Sequence, residues 1–245
     1  MKQLKQHIPN AITCMNLTCG VLGIVLAFQG NLSIAPYLVW TALCFDFLDG
    51  FAARMLKINN KIGKDLDSLA DMVTFGVLPG LIMFNLMNKV VCDPTKCTGL
   101  FSHELFPYTS FLIIIMSAMR LAKFNVDTRQ TDGFLGVPTP TNAMFLTSLP
   151  LIAEKYDFYG QIIYNPAFLL GVTIVTSYLL VSELPLISFK MKNFKFEGEN
   201  NFRWLYVISS VIMYILFPYA SIPIIIIWYI VLSIIRNIIY AKKTI

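Results

Sequence analysis

The chain has 245 residues, of which 56% are hydrophobic and only 13% are charged, and its net charge is +5. In a typical soluble domain about a quarter of the residues are charged. This composition therefore excludes a water-soluble enzyme or binding domain as the body of the protein. It favours a bundle of membrane-spanning helices, since about 20 apolar residues in a helix cross the hydrocarbon core.

Apolar stretches of that length recur along the whole chain, and we predict eight membrane spans. In chain order they cover roughly residues 9–29, 34–56, 67–88, 106–125, 141–154, 166–182, 204–218 and 221–240. The first stretch is interrupted by polar residues and lacks a small-residue cleavage site, so it is assigned as a span and not as a signal peptide. The predicted fold is all-α, with residues 1–245 forming a single membrane domain.

The distribution of Lys and Arg predicts how the spans are oriented. With eight spans, both termini and alternate loops share one side of the membrane, where 16 of the 19 Lys and Arg residues lie. Because cytosolic loops are enriched in these residues, both termini are predicted to be cytosolic. The basic face suits anionic lipid headgroups, and it does not require nucleic acid as a partner.

Four aspartates lie in or beside the second and third spans, where an acidic side chain indicates a functional site. Asp46 and Asp49 share one face of the second helix, because residues three or four apart lie on the same side. Asp67 and Asp71 share a face of the third helix for the same reason. A short loop makes these helices antiparallel neighbours, so we expect the four carboxylates to converge at the cytosolic end.

Converging carboxylates repel one another, so they must be partly protonated or held together by cations. The cluster contains no His or Cys, and carboxylate oxygens suit Mg²⁺ or Mn²⁺ better than zinc. These cations also bind phosphate groups. Gly50 and Gly63 beside the acids allow a bulky group to approach the backbone. The pattern therefore predicts a divalent-cation site for a ligand that carries phosphates.

The spacing of these residues, D-x2-D-G-x2-A-R-x8-G-x3-D-x3-D, resembles the signature of the CDP-alcohol phosphatidyltransferase family without a mismatch. Its fixed positions are Asp46, Asp49, Gly50, Ala53, Arg54, Gly63, Asp67 and Asp71. The resemblance implies an integral-membrane helical enzyme, usually a homodimer, in the cytoplasmic membrane of a bacterium or archaeon with its active site facing the cytosol. Such an enzyme binds a CDP-linked lipid and two divalent cations, Mg²⁺ or Mn²⁺, and transfers the phosphatidyl group to an alcohol with release of CMP.

Further segments resemble the phosphatidylserine synthases within that family. They are IPNAITCMNLTCG at 8–20, DMVTFGVLPG at 71–80, RLAKFNVD at 120–127 and FLGVPTPTNA at 134–143. The resemblance covers a catalytic core of residues 8–190, whereas the additional helices at 204–240 carry no recognisable chemistry. It implies CDP-diacylglycerol as the donor and L-serine as the acceptor.

The resemblance also implies roles for individual residues. The cations would be bound by Asp46, Asp49, Asp67 and Asp71, and Asp71 would also be the catalytic base for the serine hydroxyl. The CDP-lipid would contact Asn10, Thr13, Asn16, Asp49, Gly50, Ala53, Arg54, Gly63, Lys64 and Asp67. The acceptor would contact Phe75, Arg120 and Lys123.

Several of these residues also have an alternative role. For Asn10, Thr13 and Asn16 it is polar packing between helices. For Arg120 and Lys123 the alternative is the general enrichment of basic residues on the cytosolic side. The same chemistry with glycerol 3-phosphate or inositol as the acceptor is the nearest alternative function. A cation- or proton-coupled transporter is an alternative of another class.

Cys92 and Cys97 flank the turn-forming sequence DPTK in a loop predicted to lie outside the cytosol. Thiols in that compartment can oxidise, so we predict a disulfide that closes the loop. Two free thiols are the alternative.

Overall fold

The computed structural model describes residues 2–58, 61–91, 104–127, 135–188, 197–218 and 220–241. The helices in these ranges are α1 (Lys2–Phe28), α2 (Ala35–Met55), α3 (Lys61–Asp71), α4 (Leu78–Val91), α5 (Phe111–Val126), α6 (Thr139–Lys155), α7 (Asp157–Ile163), α8 (Pro166–Val181), α9 (Glu199–Leu216) and α10 (Ser221–Ala241). A π-helical turn, Met72–Val77, joins α3 to α4, and a 3-10 turn, Phe106–Ser110, leads into α5. The predicted disulfide of Cys92 and Cys97 lies outside the described residues.

Several helix starts follow from the local sequence. Proline stands in the first turn of α2, α6 and α8, where its missing N–H removes no intrahelical hydrogen bond. At α8 the side chain of Asn165 accepts hydrogen bonds from the backbone N–H groups of Ala167 and Phe168, at 2.9 and 3.3 Å. This contact caps the helix, because it satisfies donors that have no partner in the first turn.

Four helical stretches are long and apolar enough to cross a membrane: His7–Phe28, Lys61–Val91, Phe106–Val126 and Ser221–Tyr240. A fifth span results if α7 and α8, bent by 70°, are taken together. Each of the eight predicted spans coincides with a helix, but α6 and α8 have only 17 and 16 residues, and two aspartates make α2 less apolar. The all-helical fold is confirmed, whereas the number of eight spans stays a prediction.

Two local features were not predicted from the sequence. Helix α7 has seven residues, which is too short for a hydrophobic period to be recognised. The turn Met72–Val77 is π-helical, so each of its backbone hydrogen bonds joins residues five apart in the chain and not four apart as in an α-helix. An apolar run that continues through such a turn does not reveal it.

Helix α1 packs along α2 and against α3, the π turn and α4. On α1, Gly20 lies directly against Thr74 of the π turn, and a Cβ at this position would collide with the threonine side chain. Glycine is therefore required for the close approach of the two helices. The buried apolar core lies beside this contact and includes Ala27, Ala42, Phe75, Leu86 and Leu146.

Helices α9 and α10 pack against each other, and α10 also contacts α6. A second cluster of buried side chains lies beneath them and comprises Val137, Leu186, Ile187, Tyr229 and Leu232. The outer face of α9 is apolar and at least half exposed at Leu205, Ile208, Val211, Ile212 and Ile215. An exposed apolar face of this kind suits contact with lipid or with another protein surface.

Candidate active site

The four aspartates of the sequence motif lie where α2 and α3 meet. Asp46, Asp49 and Asp67 each contribute a carboxylate oxygen, and these three oxygens lie within 4.8 Å of one another. Asp71, one turn beyond Asp67 on α3, lines the same cavity as the other three. The predicted convergence of the acids is therefore present in the folded chain.

The acidic cluster has the properties of a divalent-cation site. All of its ligand atoms are carboxylate oxygens, the donor type that Mg²⁺ and Mn²⁺ prefer. Among the described residues, Oδ1 of Asp67 is buried and has no hydrogen-bond partner. A buried carboxylate oxygen without a partner is costly unless a cation or a ligand satisfies it. The cluster could thus hold a divalent cation.

Helix α1 supplies hydrogen bonds to two of the acids. Thr13 Oγ1 donates to Asp49 Oδ2 at 2.6 Å, and Asn16 Nδ2 donates to Asp71 Oδ1 at 3.2 Å. Thr74 Oγ1 donates to the backbone oxygen of Asn16 at 3.3 Å, which links α1 to the π turn. Contacts between helices, which the sequence had left as an alternative for Thr13 and Asn16, are therefore present.

The hydrogen bond from Thr13 to Asp49 leads to a prediction about cation affinity. We expect Thr13→Val to raise the Mg²⁺ or Mn²⁺ concentration needed for half-maximal activity by about 10- to 100-fold, because groups behind a ligand orient it. Thr18→Val is a matched control: Thr18 also donates to a carbonyl one turn earlier, but its contact stays within α1 and is exposed. Equal shifts in a metal titration of both variants would contradict the prediction.

A smaller cavity of about 160 Å³ lies between α1, α2 and α3. Eight of the ten residues predicted to contact the CDP-lipid line it: Asn10, Thr13, Asp49, Gly50, Ala53, Gly63, Lys64 and Asp67. Pro9 and Ile58 also line it and were not predicted. The remaining two predicted residues lie elsewhere, since Asn16 contacts Asp71 and Arg54 lines the neighbouring cavity.

A larger cavity of about 460 Å³ adjoins the smaller one, and Asp49, Gly50 and Asp67 line both. Its walls come from α2, α3, α5 and the start of α6. The residues that line the larger cavity alone are Asp46, Phe47, Arg54, Asp71, Arg120, Leu121, Phe124, Pro138, Thr139 and Pro140. Asp49 and Asp67 therefore stand between two adjoining cavities, one narrow and one wide, whereas Asp46 and Asp71 line only the wide one.

The three residues predicted to bind the acceptor lie in different surroundings. Arg120 is only 4% exposed, lines the larger cavity, and has its guanidinium 5.2 Å from the centre of the Phe124 ring. Lys123 is exposed, and its Nζ donates to the backbone oxygen of Val181 at 3.5 Å. Phe75 is fully buried in the apolar core. Of the three, only Arg120 lines the larger cavity.

Some residues of the larger cavity were missed by the sequence interpretation. Phe47, Leu121 and Phe124 neighbour predicted residues in the chain but have no polar group that marks a site. Thr139 and the two prolines beside it belong to a segment noted only for its resemblance. For Phe47, Leu121 and Phe124, the sequence offered one indication of a place at the site, namely that each stands next to a predicted site residue in the chain.

A third cavity of about 370 Å³ lies between α6, α8 and α10. Its lining is almost entirely apolar and includes no charged residue. It therefore offers no charged side chain for a cation or a phosphate, and the two cavities beside the acids remain the candidate active site.

The sequence profile of the CDP-alcohol phosphatidyltransferase family matches residues 6–182. The chain belongs to this family. Its members are phosphatidyltransferases, and the two carboxylates that both cavities share, those of Asp49 and Asp67, belong to the sequence motif that resembles the family signature. The family match supports a transferase and not the alternative of a cation- or proton-coupled transporter.

Individual family members are similar to most of the chain. The CDP-diacylglycerol–serine O-phosphatidyltransferase of Bacillus subtilis (strain 168) is 32% identical over 195 residues, which is 79% of this chain and 95% of the relative. The enzyme of the same name from Helicobacter pylori (strain J99) is 32% identical over 74% of this chain and 72% of its own. The archaetidylserine synthase of Methanothermobacter thermautotrophicus is 30% identical over 72% of this chain and 68% of its own.

Proposed function

We propose that this protein transfers the phosphatidyl group of CDP-diacylglycerol to the hydroxyl of L-serine and so forms phosphatidylserine and CMP. The observation that carries the proposal is the cluster of carboxylates placed between a narrow and a wide cavity. Two substrates that meet at a shared phosphate site need such an arrangement. The choice of serine is supported by the names of the relatives and by the synthase-like segments at 71–80 and 120–143.

We assign the smaller cavity to the nucleotide part of the donor. Asn10 and Thr13 offer polar groups for the cytosine and ribose, while Gly50 and Gly63 leave room for the backbone to approach the pyrophosphate. The ammonium group of Lys64 would neutralise phosphate charge at the mouth of this cavity. The volume of about 160 Å³ leaves the lipid part outside it.

We assign the larger cavity to the acceptor and to the phosphorus that is attacked. In a single in-line displacement, the serine oxygen forms a bond to the β-phosphorus of CDP-diacylglycerol. The bond from that phosphorus to the oxygen of CMP breaks, and CMP leaves with the electron pair. Asp71, which lines only this cavity, is the proposed base that takes the hydroxyl proton. Asn16 holds its carboxylate through the 3.2 Å hydrogen bond.

The proposed cation ligands are Asp46, Asp49, Asp67 and Asp71, and we propose that they hold two Mg²⁺ or Mn²⁺ ions. Bound there, the ions would neutralise the pyrophosphate and stabilise the charge that develops on CMP. Arg54, on the wall of the larger cavity, would add a positive charge for the phosphate that is transferred.

The direct test is an assay of the purified protein with CDP-diacylglycerol in detergent micelles, Mg²⁺ or Mn²⁺, and labelled serine. We expect label to enter phosphatidylserine in a one-to-one ratio with CMP, and a chelator to stop the reaction. Glycerol 3-phosphate and inositol are tested in parallel. Faster CMP release with either of them would overturn the choice of serine but keep the transferase chemistry.

We propose that Arg120 binds the serine carboxylate, since among the described residues it is a buried arginine that lines the larger cavity. We expect Arg120→Lys to raise the serine KM by about 10-fold or more and to leave the KM of CDP-diacylglycerol nearly unchanged, because lysine keeps the charge but loses the two-pronged contact. Lys123→Ala, one turn away on the exposed side, is the control and should change neither KM. Equal increases in both KM values for Arg120→Lys would point to a phosphate contact instead.

We further propose that the active site faces the cytosol in the membrane of a bacterium or archaeon. Both termini would be cytosolic, eight spans would cross the bilayer, and residues 8–190 would form the catalytic core of one membrane domain that ends with the helices at 204–240. The proposal is supported by the apolar helices and by the bacterial and archaeal relatives. The family resemblance also suggests a homodimer, which chemical cross-linking in membranes can test.

A further inference from the structure

The helices that follow the family-matched region have no part in the proposed chemistry, yet α10 holds a segment that leads to the active site. The match ends at residue 182, and the chain then continues without a helix to Ser188. The Tyr229 hydroxyl donates to the backbone oxygen of Ile187 at 2.7 Å. Ser233 Oγ accepts from the backbone N–H of Ile187 at 3.2 Å. Helix α10 thus binds both the backbone N–H and the backbone oxygen of Ile187.

Two more side chains of α10 continue this contact. Arg236 Nη2 donates to the backbone oxygen of Leu186 at 3.4 Å, and Asn237 Nδ2 donates to that of Pro185 at 2.8 Å. The four positions share one helix face, because residues four, seven or eight positions apart lie on the same side of an α-helix. We call the side chains of Tyr229, Ser233, Arg236 and Asn237 the α10 clamp.

The clamped segment is joined to a second extended segment that precedes α6. Gly136 N–H donates to the backbone oxygen of Leu184 at 2.9 Å, and Leu135 forms an isolated bridge with Pro185. Gly136 has φ +73°, and a Cβ there would lie 2.6 Å from the backbone oxygen of Ser182. The two segments therefore lie so close that only glycine fits at this point.

The second segment continues directly into the wall of the larger cavity. Pro138, Thr139 and Pro140 follow Gly136 by two to four residues and line that cavity, but they do not line the smaller one. Prolines at 138 and 140 restrict the backbone here, so the position of this wall depends on where the chain enters it. A displacement of Gly136 would therefore move the acceptor side of the site and leave the nucleotide side in place.

We propose that the α10 clamp positions the wall formed by residues 138–140 and thereby shapes the part of the larger cavity that receives the acceptor. Tyr229 and Ser233 are positioning residues, since they bind the segment that supports the wall and line neither of the two cavities beside the acids. The effect on catalysis rests on the proposed function. The mechanical link from α10 to Gly136 does not, so each can be tested separately.

Amide hydrogen exchange of the full-length protein in detergent tests the link itself. We expect Ser233→Ala to speed the exchange of the Gly136 amide, which donates to Leu184 of the clamped segment, by about two- to tenfold, the effect of losing one hydrogen bond. Ser209→Ala is the matched control. Like Ser233, Ser209 donates a hydrogen bond to a carbonyl of its own helix and accepts one from an N–H group. That N–H belongs to Trp228, so the contact stays within the α9–α10 pair. Equal exchange at Gly136 in the two variants would overturn the proposal.

Steady-state kinetics test the consequence for the reaction. Tyr229→Phe and Ser233→Ala should raise the serine KM by about two- to tenfold while the KM of CDP-diacylglycerol stays within twofold, and Ser209→Ala should change neither. A general loss of folded protein would instead lower kcat with both KM values unchanged, and that result contradicts positioning. Absence of serine transfer by the wild-type protein would refute the proposed function, and the exchange comparison would still decide whether the clamp holds Gly136.

Discussion

Replacing Asp67 by asparagine is expected to reduce CMP release by more than about 100-fold, since changes behind a metal ligand alone cost about 10- to 100-fold. Asparagine keeps the shape of the side chain but removes the negative charge. In the folded chain an oxygen of Asp67 lies within 4.8 Å of oxygens from Asp46 and Asp49, and its Oδ1 is buried without a hydrogen-bond partner among the described residues. The same loss is expected for Asp46→Asn and Asp49→Asn.

Asp65→Asn is the control for this experiment. Asp65 lies on α3 two residues before Asp67, is exposed, and lines neither of the two cavities beside the acids. Its replacement changes the net charge by the same amount, so retained activity would show that position and not total charge matters. If Asp67→Asn kept near-wild-type CMP release at every Mn²⁺ concentration, its assignment as a cation ligand would be wrong.

Asp71→Asn is expected to abolish transfer while leaving the CDP-lipid bound. Asp71 lines the larger cavity and not the smaller one, so its charge is needed where the acceptor reacts. Loss of a general base typically costs about 10²- to 10⁴-fold in rate. The measurement is paired: serine transfer by label incorporation, and binding of CDP-diacylglycerol by equilibrium titration in the presence of Mn²⁺.

Comparing Asp71→Asn with Asp49→Asn distinguishes two roles for Asp71: a base that acts on the acceptor, or only a ligand of the cations. Asp49→Asn removes a carboxylate that lines both cavities, and it should weaken CDP-lipid binding as well as transfer. Equal losses of binding in Asp71→Asn and Asp49→Asn would show that Asp71 serves the donor site. Near-wild-type transfer by Asp71→Asn would refute its assignment as the base.

The arrangement of the acids was predictable because it depends on local geometry. Asp46 and Asp49, and likewise Asp67 and Asp71, share a helix face through spacings of three and four residues. The short connection between α2 and α3 then makes the two faces meet, and three carboxylate oxygens lie within 4.8 Å of one another. Most of the residues that line the smaller cavity were predictable for the same reason, since they belong to the same motif.

The partners of the acids on α1 could be decided only by the tertiary structure. Thr13 and Asp49 are 36 residues apart in the chain, and Asn16 and Asp71 are 55 apart. Their pairing depends on how closely α1 approaches the π turn, which the contact of Gly20 with Thr74 sets. Helical spacing alone could not show whether these polar groups face a ligand or a neighbouring helix.

The acceptor side shows most clearly what sequence reasoning leaves open. Arg120 and Lys123 look equivalent as basic residues near the end of one helix, yet Arg120 is buried at the larger cavity and Lys123 is exposed. The sequence by itself determined the all-helical fold through its composition, and the acidic cluster through spacings within α2 and α3 and the short connection between them. The resemblance of the motif to a known signature indicated the family. Only the tertiary structure decided which basic residue reaches the cavity and that α10 binds the segment at 185–187, because both depend on contacts between helices distant in the chain.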